Sequence, residues 1–185
     1  MRIFGFKLML TLLFIITLVA SGASMKDSAS ARPSSPLDSI KPRSLCTALE
    51  QVVWSCETAR QGKLASICSS KELDKSRGYV QYRFGRPGQV ELEFPKERVG
   101  TQSAFKYSRY TRALVTYLKL EFVNSGFTYI VSDDSNSEEK PARRDAGISV
   151  EPIGTDIKPV TMRCRKPITG SLMTLEDVVQ KIETP

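Results

Sequence analysis

Glu91 and Glu93 alternate with Val90, Leu92 and Phe94 in a run that could carry hydrolytic chemistry. On a β-strand, side chains two residues apart share a face at ~6.5 to 7 Å along the chain, near the separation at which paired carboxylates cleave glycosidic bonds. The same alternation is how a solvent-facing strand is written, and the two glutamates are read that way. A second acidic group, Asp133, Asp134, Glu138 and Glu139, has the oxygen ligands for Ca²⁺. It lacks the central glycine and terminal glutamate spacing of an EF-hand loop, so residues 133–145 are read as a charged, solvated loop holding no metal. The chain contains no histidine. That removes Ser-His-Asp and Cys-His nucleophile systems, His-Glu-x-x-His metalloproteases and most imidazole bases. No phosphate-binding glycine-rich loop precedes the one predicted helix. These residues point to a protein that is not an enzyme and needs no cofactor.

What remains is a set of side chains suited to recognition. Tyr79 and Arg83 fall on the opposite side of their strand from Tyr82 and Phe84, and Tyr107, Arg109, Tyr110 and Arg112 form a Tyr/Arg-rich segment. Tyrosine and arginine are enriched at interfaces because each offers a large contact area with a polar tip. Together with Asp133 and Asp134 of the charged loop, they are the candidate binding residues.

The elements that must hold them are mostly strands. Residues 79–84 and 89–94 alternate apolar and polar side chains and flank Gly85-Arg86-Pro87-Gly88, in which Pro87 and Gly88 suit the second and third positions of a type II turn. A second hairpin is predicted from residues 115–123 and 127–131 around Asn124-Ser125-Gly126, with Leu118, Leu120 and Phe122 facing the core. Further strands are expected at 47–56, 63–68, 147–153 and 159–164, with Trp54 in the core. The aromatic spacing of residues 104–110 begins as a strand and then breaks. Thr174-Leu175-Glu176-Asp177 resembles a capping box, and Leu175, Val178, Val179 and Ile182 recur at helical spacing, which predicts a terminal amphipathic helix docked on the sheet. The expected fold is mainly β: an antiparallel sandwich or open barrel of about eight strands with a C-terminal amphipathic helix, stabilised by disulfides.

The N-terminus reads as a signal peptide, residues 1–23. Arg2 and Lys7 precede an apolar run from Leu8 to Ala20, and Ser21-Gly22-Ala23 offers a small-residue cleavage site. The run is too short to span a bilayer, so no transmembrane segment is expected after cleavage. A Ser/Pro-rich tether follows at 24–44, then a single β-rich domain at 45–185. Loss of Arg2 and Lys7 lowers the formal charge from +7 to +5. That mild excess, without a basic run or a nucleic-acid module, argues against nucleic-acid binding. Cys46, Cys56, Cys68 and Cys164 form an even set in an exported chain, implying two disulfides with three connectivities open. Their spacings lack the close pair that structural zinc sites use. The compartment is the periplasm or the exterior.

The segments Gly78-Tyr-Val-Gln-Tyr-Arg-Phe-Gly85 and Glu91-Leu-Glu-Phe-Pro95, with Ser66-Ile-Cys68, Phe127-Thr-Tyr-Ile-Val131 and Gly147-Ile-Ser-Val150, resemble a group of small exported proteins of proteobacteria. The resemblance runs from about Trp54 to Cys164. It implies a periplasmic β-rich fold and carries over no catalytic residue. The functional expectation is an exported binding protein of the envelope with a protein partner, such as an immunity protein or inhibitor neutralising a secreted hydrolase or toxin. The alternatives are a module for an anionic envelope polymer or structural partner, and a carboxylate-dependent hydrolase. The sequence leaves the oligomeric state open.

Overall fold

The computed structural model describes residues 44–183. The expected leader, and the expected tether apart from Ser44, lie outside the described residues. Ten strands follow in chain order: β1 (Glu50–Thr58), β2 (Leu64–Ser70), β3 (Val80–Arg86), β4 (Gln89–Phe94), β5 (Lys106–Arg112), β6 (Val115–Asn124), β7 (Phe127–Asn136), β8 (Arg143–Pro152), β9 (Val160–Gly170) and β10 (Gln180–Lys181). They form one curled sheet in the order β10-β5-β6-β7-β8-β9-β1-β2-β3-β4. Every pairing is antiparallel except β10 with β5. Among the described residues there is no α-helix, and no helix long and apolar enough to cross a membrane.

Both predicted hairpins form, for the backbone reasons their turns suggest. Arg86 pairs with Gln89 across Pro87-Gly88, with Gly88 at φ 79°, and a bulge follows at Phe84/Gly85. A Cβ on Gly85 would lie 2.4 Å from the Gln89 carbonyl oxygen, so only glycine fits the bulge. In the β6–β7 turn Ser125 and Gly126 both have positive φ, 50° and 80°, as a two-residue hairpin of matching twist requires.

The concave face of the sheet is the core. Its two ends are joined by rings instead of a hydrogen-bonded ladder, which leaves an open half-barrel. Phe94 of β4 stacks on Phe122 of β6 at 4.6 Å, Phe105 meets both edge-on, and Phe122 stacks on Tyr129 at 4.8 Å. Leu118, Leu120 and Phe122 are buried as predicted, and so is Trp54. The two disulfides are Cys46–Cys68 and Cys56–Cys164. The second ties β1 to β9 in the middle of the sheet.

Three expectations need correction. The described residues form ten strands, not about eight, because the polar segment 106–112 continues as a strand and β10 follows the 3-10 turn. The predicted C-terminal helix is one 3-10 turn, Leu172–Leu175, capped by the Ser171 side chain, which accepts from the Met173 N–H. The chain then lays Gln180 and Lys181 beside β5, and the Ile182 N–H donates to the Tyr107 carbonyl at 2.8 Å. Leu172, Leu175 and Val179 are buried, so the apolar spacing did report a face that docks on the core. What it could not report was an adjacent sheet edge with unpaired backbone groups, to which the chain adds Gln180 and Lys181. Finally, the charged stretch at 133–145 is largely strand: β7 continues to Asn136 and β8 starts at Arg143.

Candidate functional site

Strand register divides the eight candidate binding residues into three groups. Tyr79 and Arg83 lie on the convex face of the β1–β4 half. There the N-terminal segment, pinned by Cys46–Cys68, crosses over β2 and β3, burying Arg83 and leaving Tyr79 half-buried. Arg83 is 2% exposed and all five of its N–H donors are used. Nε donates to Glu93 Oε2 at 2.9 Å, Nη1 to Glu50 Oε2 and the Leu45 carbonyl, and Nη2 to Glu50 Oε1 and Gln81 Oε1. The Tyr79 hydroxyl donates to Glu50 Oε1 at 2.7 Å. Burial alone would raise the Glu50 pKa, but hydrogen bonds from Arg83, the Thr47 N–H and Tyr79 outweigh it and hold the carboxyl at about 2. This cluster fastens the N-terminal segment to the sheet. Glu91 in turn pairs with Lys63 at 2.5 Å, so both glutamates of the candidate acid pair already hold a cation.

Tyr107, Arg109 and Asp133 form the second group, on the concave face. Tyr107 and Asp133 are buried. Arg144 forks onto Asp133 at 2.7 and 2.8 Å, and the Leu172 N–H donates to the same carboxylate, so Asp133 anchors the C-terminal turn. Arg109 pairs with Glu176 at 2.6 Å. The Tyr107 hydroxyl is buried without a hydrogen-bond partner among the described residues, and burial, then the charge of Glu176, pushes its pKa up to about 12.

The third group is exposed at Tyr110 and Arg112 and half-buried at Asp134. Tyr110, Arg112 and Asp134 lie on the convex face of β5–β8, where the ladder aligns Tyr110 with Tyr117, Tyr117 with Asp134, and Asp134 with Asp145. The result is one row of side chains across four strands. Tyr110 and Tyr117 stack at 5.9 Å with an interplanar angle of 17° and remain 47% and 41% exposed. Arg112 makes a two-point contact with Glu138, fixing the loop beside the row. Burial, then the neighbouring Asp133 and Asp145 charges, raises the Asp134 pKa, against a hydrogen bond from the Leu118 backbone and the charge of Lys119. Asp145 is paired with Arg143.

Tyr117 and Asp145 were missed from sequence. Tyr117 sits inside a strand whose core face was recognised, but on the opposite face from Leu118, Leu120 and Phe122, and Asp145 was placed at the end of a loop. The available signal was cross-strand register: once the hairpin turn at Ser125-Gly126 is fixed, Tyr117 must oppose Asp134. Among the described residues no group of three or more Cys, Asp or Glu is arranged to hold a metal ion. No protein-family model matches this chain, and neither does any curated protein or any solved structure.

Proposed function

We propose that this chain is an exported, non-enzymatic binding protein of the cell envelope that docks a protein partner on the convex face of β5–β8. The partner class is an envelope-directed hydrolase or toxin, and the role is that of an inhibitor or immunity protein. The carrying observation is the exposed, stacked Tyr110–Tyr117 pair on β5 and β6 of this regularly paired face. Two rings already ordered against each other lose little rotamer freedom on binding, and tyrosine rings are recurrent anchors of protein interfaces. Pairing of all four cysteines supports an oxidising compartment. The occupied cations on Glu91 and Glu93 support a non-catalytic reading, and the carboxylates beside the tyrosines disfavour an anionic polymer at this face.

The test is affinity capture with the disulfide-bonded mature protein from envelope extract and from secretions of rival cells, in parallel with a Tyr110→Ala, Tyr117→Ala variant. A stoichiometric hydrolase or toxin that is inhibited by the wild-type protein and lost with the variant supports the proposal. Equal capture by both proteins, or none by either, contradicts it.

A further inference from the structure

Beside the tyrosine row the convex face is not flat. A cleft of about 270 Å³ opens over β7, β8 and β9, lined by Ser132, Asp134, Asp145, Gly147, Thr161 and Arg163 among others. It exists because of a glycine. Gly147 stands between Ser132 and Arg163 in the ladder, and a Cβ there would come within 2.9 Å of the Met162 carbonyl, so the floor carries no side chain.

Two charges of opposite sign stand at the ends of this floor. Asp133, Asp145, Glu138, Glu50, Glu57 and Glu176 each hold an arginine. Among the described residues, Asp134, at one end of the cleft, pairs with no cation, and Arg163, at the other, pairs with no carboxylate. They do not reach each other. They are two strands and two register positions apart, and strand spacings of about 4.8 Å with a rise of about 3.4 Å per residue set their Cα atoms ~12 Å apart. The Gly147 gap lies between them. Ser132 and Thr161 add hydroxyls that can donate or accept along its length.

We infer that this cleft binds a small zwitterion, an amino acid or dipeptide with free termini, its ammonium on Asp134 and its carboxylate on Arg163. The two unpaired groups set the polarity, and the missing side chain at Gly147 gives the backbone of the ligand its place. Asp145 stands beside the ammonium end with its charge offset by Arg143, which also lines the cleft, so Asp134 is the carboxylate left for the ammonium. This inference is independent of whether a protein docks on the tyrosine pair.

The test is a calorimetric or NMR titration of the disulfide-bonded mature protein with alanine and with alanylalanine. N-acetylated and C-amidated forms serve as probes lacking one charge each. Saturable binding is expected for at least one free-terminus probe. Acetylation of the probe or Asp134→Asn should each weaken it about tenfold or more, and amidation of the probe or Arg163→Gln should do the same. Thermal unfolding of each variant confirms that it is folded. Absence of saturation with both free-terminus probes overturns the inference, as does binding indifferent to the blocked termini or to both substitutions.

Discussion

Arg83 sets its two terminal nitrogens on the two oxygens of Glu50, at 2.7 and 2.8 Å, with both side chains out of solvent. A buried pair of this kind is costly to break on one side, because the surviving charge is left without a partner. Arg83→Met should therefore destabilise the protein by about 3–5 kcal/mol in denaturant unfolding. The double variant Arg83→Met, Glu50→Leu should recover much of that loss. A double variant as unstable as the sum of its parts would show that the pair does not act as a unit.

The same carboxylate sets an acid limit. Glu50 is depressed from 4.5 to about 2 in the folded protein, so its contribution is complete above the unfolded value and is lost as pH falls through the folded one. Between about pH 4.5 and 2 the wild-type protein should lose up to ~3 kcal/mol from this group, at 1.4 kcal/mol per pH unit. Glu50→Gln should flatten the stability profile in that window. An unchanged slope in the variant would assign the acid sensitivity elsewhere.

Much of this architecture was legible in the chain. The hairpins were, because Pro87-Gly88 and Ser125-Gly126 satisfy turn geometry with local information alone, and the core face of β6 followed from period two. The fate of Arg83 was not. Alternation correctly put it opposite Tyr82, but nothing local says that a segment nearly forty residues earlier returns to cover that face, since Leu45 and Glu50 reach it only through the sheet and the Cys46–Cys68 link. The terminal helix failed for a related reason: an edge strand competes for backbone hydrogen bonds, and its position is a property of the assembled sheet. The Tyr/Arg segment was found as a cluster, yet strand parity splits it, sending Tyr107 and Arg109 inward and Tyr110 and Arg112 outward.

The two disulfides should separate in their effects. Cys56–Cys164 spans 108 residues and Cys46–Cys68 spans 22. Loop-closure entropy assigns them about 5 and about 3 kcal/mol. Replacing both members of the longer link by serine should give the larger global loss in unfolding. Replacing both members of the shorter one should deprotect the Arg83 cluster in hydrogen exchange while β6–β8 stay protected. Uniform loss of protection would refute this division.

Asp134 carries an opposite linkage from Glu50. Its pKa is raised by burial, then by Asp133 and Asp145, against the Leu118 backbone and Lys119, so its contribution is favourable below the ordinary carboxylate range and is lost as pH rises. Asp134→Asn should therefore raise the Tm at neutral pH, with the gain vanishing in acid. Stability held back at a recognition surface is a common cost of function. A lower Tm at neutral pH would mean that the carboxylate is structural.

The most direct test of the docking surface is the affinity of a captured hydrolase or toxin for three proteins: wild type, Tyr110→Ala with Tyr117→Ala, and Arg86→Ala in the distant β3–β4 turn. Losing both rings should weaken binding by 100-fold or more, about 3 kcal/mol or more, with thermal stability little changed, while Arg86→Ala leaves binding intact. Binding that survives removal of both tyrosines would contradict the assignment of this face.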